Sequence, residues 1–502
     1  MHHDTQPATR WAIGRPRLSI PCYNHARYMQ VKIRPLKSIA VLAALWSLLG
    51  SLLAFSWEGL PISFHDEPVR AYIDRGFQLG KEGKWPEALR ELRRAVEIDP
   101  SSAEAHYSLG VSLFWTKQIQ SAIEELKLAV RLDPNLAPAH HFLAQGLREI
   151  GDWHGAAHHF EEAIRLGARK AEDYNHLGTA LRGLGDYGGA IRAFEEALHL
   201  KPDFSDARNN LGLARLHSGD PEGAAQTFRS LVTRYPNHRQ AKQNLGVALM
   251  EKGDARSAEQ VYRDILRTEP NDPVIVYNLA KAFEEQDRLA DALLHFEKAT
   301  QLKPDFPEAF YSLGTALWQQ GRLEEAKSCI RRSLVLRPQY AEAMIALGAI
   351  SKAQGDLEGA IRAFRQALQI RFQYPEAHYS LGLALRQQGN YEEALEEIRT
   401  AESQRRDKTN TEAAAFATHA GIKMLEVGKL DAALQRFQFA LQQAPSFAPA
   451  YYQMSLLLEK QARREEAARA RAQAQALDPE LRLCRSALGL RGWVQAKWGS
   501  LR

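Results

Sequence analysis

Residues 171–204, AEDYNHLGTALRGLGDYGGAIRAFEEALHLKPDF, decide the fold. Tyr174, Leu177, Gly178 and Leu181 recur at helical spacing, and Gly185-Asp186 then breaks the run. Ala190, Phe194, Ala197 and Leu200 form a second stripe. Lys201-Pro202 ends it, because proline cannot continue a helix. The segment therefore predicts two amphipathic helices joined by a short turn.

The same pattern continues in phase on both sides with a period of 34 residues. Counted from Val69, ten units run without a gap to Lys408. Two more follow, from Ala414 to Leu481, after a five-residue insertion at 409–413. Position eight is Gly, Ala or Ser in all twelve units, and position twenty is Ala in all twelve. Small residues there let two antiparallel helices approach closely, and large residues at positions four, eleven and twenty-four fill the space beside them. Such a period predicts an all-α solenoid, a quasi-one-dimensional stack in which no unit can bury its apolar face alone.

These residues resemble the tetratricopeptide repeat, a helix-turn-helix module. The resemblance implies a right-handed superhelix with a concave groove over about four fifths of the chain. The array is also similar to the repeats of O-linked N-acetylglucosamine transferase, but without a catalytic domain. Departures are local. The proline of position thirty-two is replaced by Ala168, Phe372 and Arg406 in repeats three, nine and ten. Leu231 and Ile265 replace the small residue of position twenty-seven, which should widen the local helix spacing. Ser403 to Ala413 lacks the proline and carries the insertion, so a lengthened helix or a loosened turn is expected there. A hinge that leaves the last two repeats less firmly docked is the reading favoured.

The net charge of +5 is unevenly spread. Residues 1–37 carry +6, which leaves −1 for the remainder, so no basic stripe invites nucleic acid. Ser38 to Trp57 holds no charge over twenty residues, long enough to span a bilayer. Arg27, Lys32, Arg34 and Lys37 precede it, and acids follow at Glu58, Asp66 and Glu67. This predicts an N-terminal transmembrane helix with the repeats outside the cytoplasm, joined to them by a linker at 58–68. The competing reading is a cleaved signal peptide and a secreted or periplasmic chain. A start at Met29 instead of Met1 would leave a compact basic segment before the apolar run. The tail, 482–502, is expected to cap the open face of the last repeat through Leu483, Leu488, Trp493 and Val494.

No catalytic, cofactor or metal constellation is expected. The sequence has no G-x-S-x-G, phosphate loop or H-E-x-x-H, and Cys22, Cys329 and Cys484 form no C-x-x-C. His154 and His158 have a spacing that zinc can use, but no third ligand converges on them. His140 sits at a core position, His141 near the groove, and His154, His158 and His159 are expected around the exposed second helix.

The candidate site is the groove. Asn210, Asn244 and Asn278 occupy position six in three consecutive repeats, and Asn175 and Asn209 stand at position five just before. Asparagine is poor for helix propensity, while its amide both donates and accepts, which suits a peptide main chain. This resembles the asparagine ladder of the transferase repeats. Tyr277, Tyr311 and Trp318 add aromatic anchors, with semi-buried packing as the competing reading. The heat-shock-protein carboxylate clamp of the family does not transfer, since no ninth position is Asn and no second position is Lys. Acids at position two (Glu104, Glu172, Asp206, Glu308, Glu342, Glu376) suggest a negative rim that disfavours acidic ligands. The expected function is a membrane-anchored, non-enzymatic scaffold that binds protein or peptide. The alternatives are a repeat component of a protein O-glycosyltransferase system and a secreted adaptor.

Overall fold

The computed structural model describes residues 66–478, and helices are the only regular elements among them. The basic N-terminal segment, the proposed span at 38–57 and the tail 482–502 lie outside the described residues. Each repeat contributes two antiparallel helices, such as Ala171–Gly183 and Tyr187–Leu200 in repeat four. The next repeat continues with Ser205–His217 and Pro221–Arg234.

Local chemistry sets these boundaries. Position fifteen closes the first helix with a left-handed residue in every repeat. It is glycine in nine of them, for instance Gly185 (φ 78°), and Lys117, Asp287 and Ala462 in the other three. Position sixteen is often aspartate, whose carboxylate accepts from the backbone N–H three residues on. Asp186 to Gly189 is 2.9 Å and Asp356 to Gly359 is 2.8 Å. These bonds satisfy orphan donors of the second helix.

The core lies between the two helices and between neighbouring repeats. The alanine of position twenty is buried throughout. A Cβ at position eight would meet the side chain of position twenty-four: Gly178 faces Phe194 at 2.7 Å, and Gly246 faces Tyr262 at 2.4 Å. Phe160, Phe194, Phe228, Phe296, Phe364 and Phe437 fill that slot, fully buried. Leu231 and Ile265 are buried too, and the paired helices of repeats five and six are in less extensive contact than in other repeats, as larger residues there require.

The junction after repeat ten resolves the open choice. No hinge or turn forms. One helix, Tyr391–Glu426, is 36 residues long and runs through the insertion. It fuses the second helix of repeat ten with the first helix of repeat eleven. The cause is the missing punctuation: 403–413 holds neither Gly nor Pro, and every residue in it tolerates a helix. Repeat three also lacks the proline, yet its helix ends at Arg165 because Gly167 turns left-handed (φ 109°). At the far end, the second helix of repeat twelve presents Arg464, Ala468, Arg471 and Gln475 where earlier repeats present apolar residues. The expected cap over that face lies outside the described residues.

Candidate peptide-binding groove

The first helices line up side by side, and position five of one repeat meets position six of the next. Asn210 Nδ2 donates to Asn175 Oδ1 at 3.0 Å, and Asn244 Nδ2 donates to Asn209 Oδ1 at 3.0 Å. The Tyr277 and Ser312 hydroxyls pair at 3.2 Å in the same register. The His141 and His176 rings lie 5.9 Å apart, and Tyr107 and Phe142 6.1 Å. A seam of like with like therefore runs along the array: ring to ring, amide to amide, hydroxyl to hydroxyl. Asn175 and Asn244 are buried in it, and Asn209 and Asn210 are half-buried. At the next step Gln243 turns to Arg239 (3.4 Å), which leaves the half-buried Asn278 amide outside the seam.

The aromatic candidates also pack, chiefly against rings of their own repeat. The Tyr277 ring lies 5.7 Å from Phe296 and 5.1 Å from Phe306, and burial pushes its hydroxyl pKa up. Tyr311 lies 5.1 Å from Tyr340, and burial raises its pKa as well. Trp318 packs half-buried against the central core, while Trp115 is exposed. The structure thus places Asn175, Asn209, Asn210, Asn244, Tyr277 and Tyr311 on one surface, and all but Tyr311 have part of their polar capacity already used.

The acidic rim is corrected in the same way. Glu172 pairs with Lys201 at 2.9 Å, Glu342 with Arg371 at 3.3 Å, and Glu308 with Arg337. These cations, at position thirty-one, lie over the aromatic ring of position thirty-four: Lys201 over Phe204 at 4.8 Å, Arg371 over Tyr374 at 4.4 Å, Arg337 over Tyr340 at 4.9 Å. Half of the rim carboxylates are paired within their own repeat, which weakens the negative field of the rim. The sequence signal was present, as Lys or Arg at thirty-one with Phe or Tyr at thirty-four.

Two further groups escaped the sequence reading. Lys281 and Glu284 form an ion pair that is mostly buried beside Tyr277. Burial pulls the Lys281 pKa down, but Glu284, with Tyr277 and Glu285, more than offsets this and holds it above the ordinary value. In repeat three, His140 Nε2 faces the Pro134 carbonyl at 3.1 Å, and its Nδ1 meets His159 Nδ1 at 3.0 Å. Repeats two and ten show the same arrangement with glutamate in place of the second histidine: His106 with Glu125 at 2.6 Å, and His378 with Glu397 at 2.5 Å. His159 is therefore turned inward, and burial first, then His140 and His158, push its pKa down to about 4. His154 and His158 are exposed, and no group of three or more His, Cys, Asp or Glu among the described residues could hold a metal. Cys329 is half-buried with its thiol pushed up to about 11 by burial.

Family models described as tetratricopeptide repeat match residues 103–136, 175–239, 215–283, 307–340 and 375–407. One described as TPR repeat matches 79–116, 285–321 and 350–389. Together they cover more than half of the chain. A search of curated proteins gave no match. Among solved structures, a crystal structure of MamA is 27% identical, covering 33% of this chain and 96% of that chain, with a TM-score of 0.31. MamA from Desulfovibrio magneticus RS-1, residue 41 to the end, is 21% identical over 34% of this chain and 96% of its own, with a TM-score of 0.32. Yeast Tom70 is 14% identical, covering 86% of this chain and 99% of that chain, with a TM-score of 0.38.

Proposed function

The chain belongs to the tetratricopeptide-repeat family, and we propose that it is a non-enzymatic scaffold that holds an extended segment of a partner protein in its groove. The observation that carries this reading is the run of amides along the seam. Each seam bond uses one N–H of Asn210 or Asn244 and leaves the other, while Asn278 spends none on the seam. A main chain laid across the first helices would take those bonds with little regard to its side chains. Selectivity then falls to groups beside the seam, Tyr277, Tyr311, Trp318 and the Lys281–Glu284 pair. The test is titration of a partner peptide, first identified by crosslinking, against Asn278→Ala. One lost hydrogen bond of about 1 kcal/mol corresponds to roughly fivefold weaker binding. The melt should not fall, since Asn278 is outside the seam and alanine is the better helix former. Unchanged affinity would remove this stretch of groove from the site.

We further propose that residues 38–57 anchor the scaffold in a membrane, with the repeats on the extracytoplasmic side. The support is the uncharged run and its basic flank. No helix among the described residues is long and apolar enough to cross a membrane, so the anchor rests on that segment alone. Alkaline phosphatase fused after Leu481 in a bacterial host should be active. An inactive fusion would refute the orientation. An active product shortened to begin near Trp57 would replace the anchor with secretion.

A further inference from the structure

The joints between repeats share one geometry, and the joint after repeat ten departs from it. Elsewhere the second helix of a repeat offers positions seventeen and twenty-one to the first helix of the next. Trp153 lies so close to Gly183 that a Cβ there would be 2.4 Å from its ring. Tyr187 stacks on His217 with centroids 5.5 Å apart, and Ile123 lies against Gly146. In return, position three of the incoming helix is fully buried, as at Ala139, Ala207, Ala241, Ala309, Ala343 and Ala377.

After repeat ten the incoming helix never turns back. Its place over Tyr391 and Leu395 stays bare, and these residues are 70% and 49% exposed. Ile398 is only half-buried, although its counterparts from Leu92 to Phe364 are fully buried. On the other half of the fused helix, Phe416 replaces the buried alanine and is 78% exposed. The ordinary mate is also lost chemically: position ten, small or apolar in most repeats, is Lys423. Repeat eleven therefore does not present a surface suited to close this joint. The bare stripe is flanked by the exposed acids Glu392, Glu396 and Glu402, with Arg399 the lone cation between 391 and 402.

We propose that the chain's own tail, residues 481–502, docks on this face as a helix in place of the missing one. The tail, LRLCRSALGLRGWVQAKWGSLR, holds five Lys or Arg and no acid, which complements the acidic flanks. Leu490, Trp493, Val494, Trp498 and Leu501 recur at helical spacing, as a groove-binding helix needs. A first helix of the array has 13 residues, as in Ala171–Gly183, and a tail helix of that size leaves a linker able to span roughly 30 Å. The last repeat competes less well for it, because Arg464 and Gln475 make its outer face more polar than in most earlier repeats. A second copy is the weaker occupant: two such faces would set Glu392, Glu396 and Glu402 against themselves. This contact is separate from the groove and stands whether or not the groove binds a peptide.

The test uses the full chain with a photo-reactive phenylalanine analogue at position 395, an exposed site where substitution leaves the packing intact. Irradiation should crosslink position 395 to a peptide within 481–502. In a mixture of light and isotopically heavy chains, the crosslink should join only like-labelled peptides. The double variant Leu490→Asp/Val494→Asp should lose most of it, with circular dichroism confirming the fold. Failure to reach 481–502, persistence in the double variant, or crosslinks between differently labelled chains would each overturn the proposal. The last outcome would assign the face to a second copy.

Discussion

Asn244→Ala should weaken the stacking of repeats five and six, and a double-mutant cycle with Asn209→Ala measures by how much. Asn244 is 8% exposed, donates to Asn209 Oδ1 at 3.0 Å and accepts from Gln240 Nε2 at 3.1 Å. Losing a neutral hydrogen bond costs about 1 kcal/mol, and an orphaned buried partner raises that to about 1–3 kcal/mol. Asn209 is half-buried, so water reaches its carbonyl and the lower end applies. Alanine also returns about 0.5 kcal/mol of helix propensity. The single change should therefore cost only about 0.5–1 kcal/mol, too little to interpret alone. In the cycle, propensity cancels and a coupling of about 0.5–1.5 kcal/mol should remain. Hydrogen exchange in the helices Ser205–His217 and Arg239–Lys252 is the right assay, because a solenoid opens locally. Asn244→Ala with Asn278→Ala serves as the control pair and should be additive within about 0.3 kcal/mol. Additivity of Asn209→Ala and Asn244→Ala to the same tolerance would refute the seam.

Ala462→Gly should stabilise the last repeat by about 1 kcal/mol in denaturant melts, since Ala462 is held at φ 60°, where an L side chain is strained; an unchanged or lower midpoint would count against it. Gly246→Ala should lose about 1–3 kcal/mol, because its Cβ would lie 2.4 Å from the buried Tyr262 ring, more than the roughly 1 kcal/mol of helix propensity it gains. Adding Tyr262→Phe, which reproduces the buried Ala144–Phe160 and Ala280–Phe296 layers, should restore part of the loss, and no rescue would refute the steric account. His159 has its folded pKa pushed from 6.5 to about 4, so the unfolded chain binds the extra proton first: this contribution is present above pH 6.5 and is lost as pH falls toward 4. His159→Glu should give His140 the partner that His106 has in Glu125, and the melting temperature should fall less over that window. Some loss should remain, because burial also holds His176 near 4; an unaltered pH profile would refute the pairing.

What was legible in the sequence was whatever one repeat specifies by itself. Position eight needs a small residue because position twenty-four lies on it, position fifteen needs a left-handed turn, and position sixteen caps the next helix. All of this lies within 34 residues of chain and recurs twelve times, so the pattern names the fold. The fused helix could be read too, as 403–413 has neither Gly nor Pro. The missing proline alone reads as a hinge, whereas helix propensity across the whole stretch favours continuation. The groove was harder. Its residues were found by face, yet face alone does not say whether an amide points to a ligand or to a neighbour.

The sequence by itself thus determined the helix pair, its turn, its core and the number of repeats, because these follow from local sterics and a fixed period. Only the tertiary structure decided the rest. The pitch of the stack brings residues 35 apart into contact, Asn175 with Asn210 and Asn209 with Asn244. It also left Tyr391 and Leu395 bare when one helix ran straight on. Such contacts depend on the small rotation between neighbouring units, a sum of many packing interactions that no single repeat encodes.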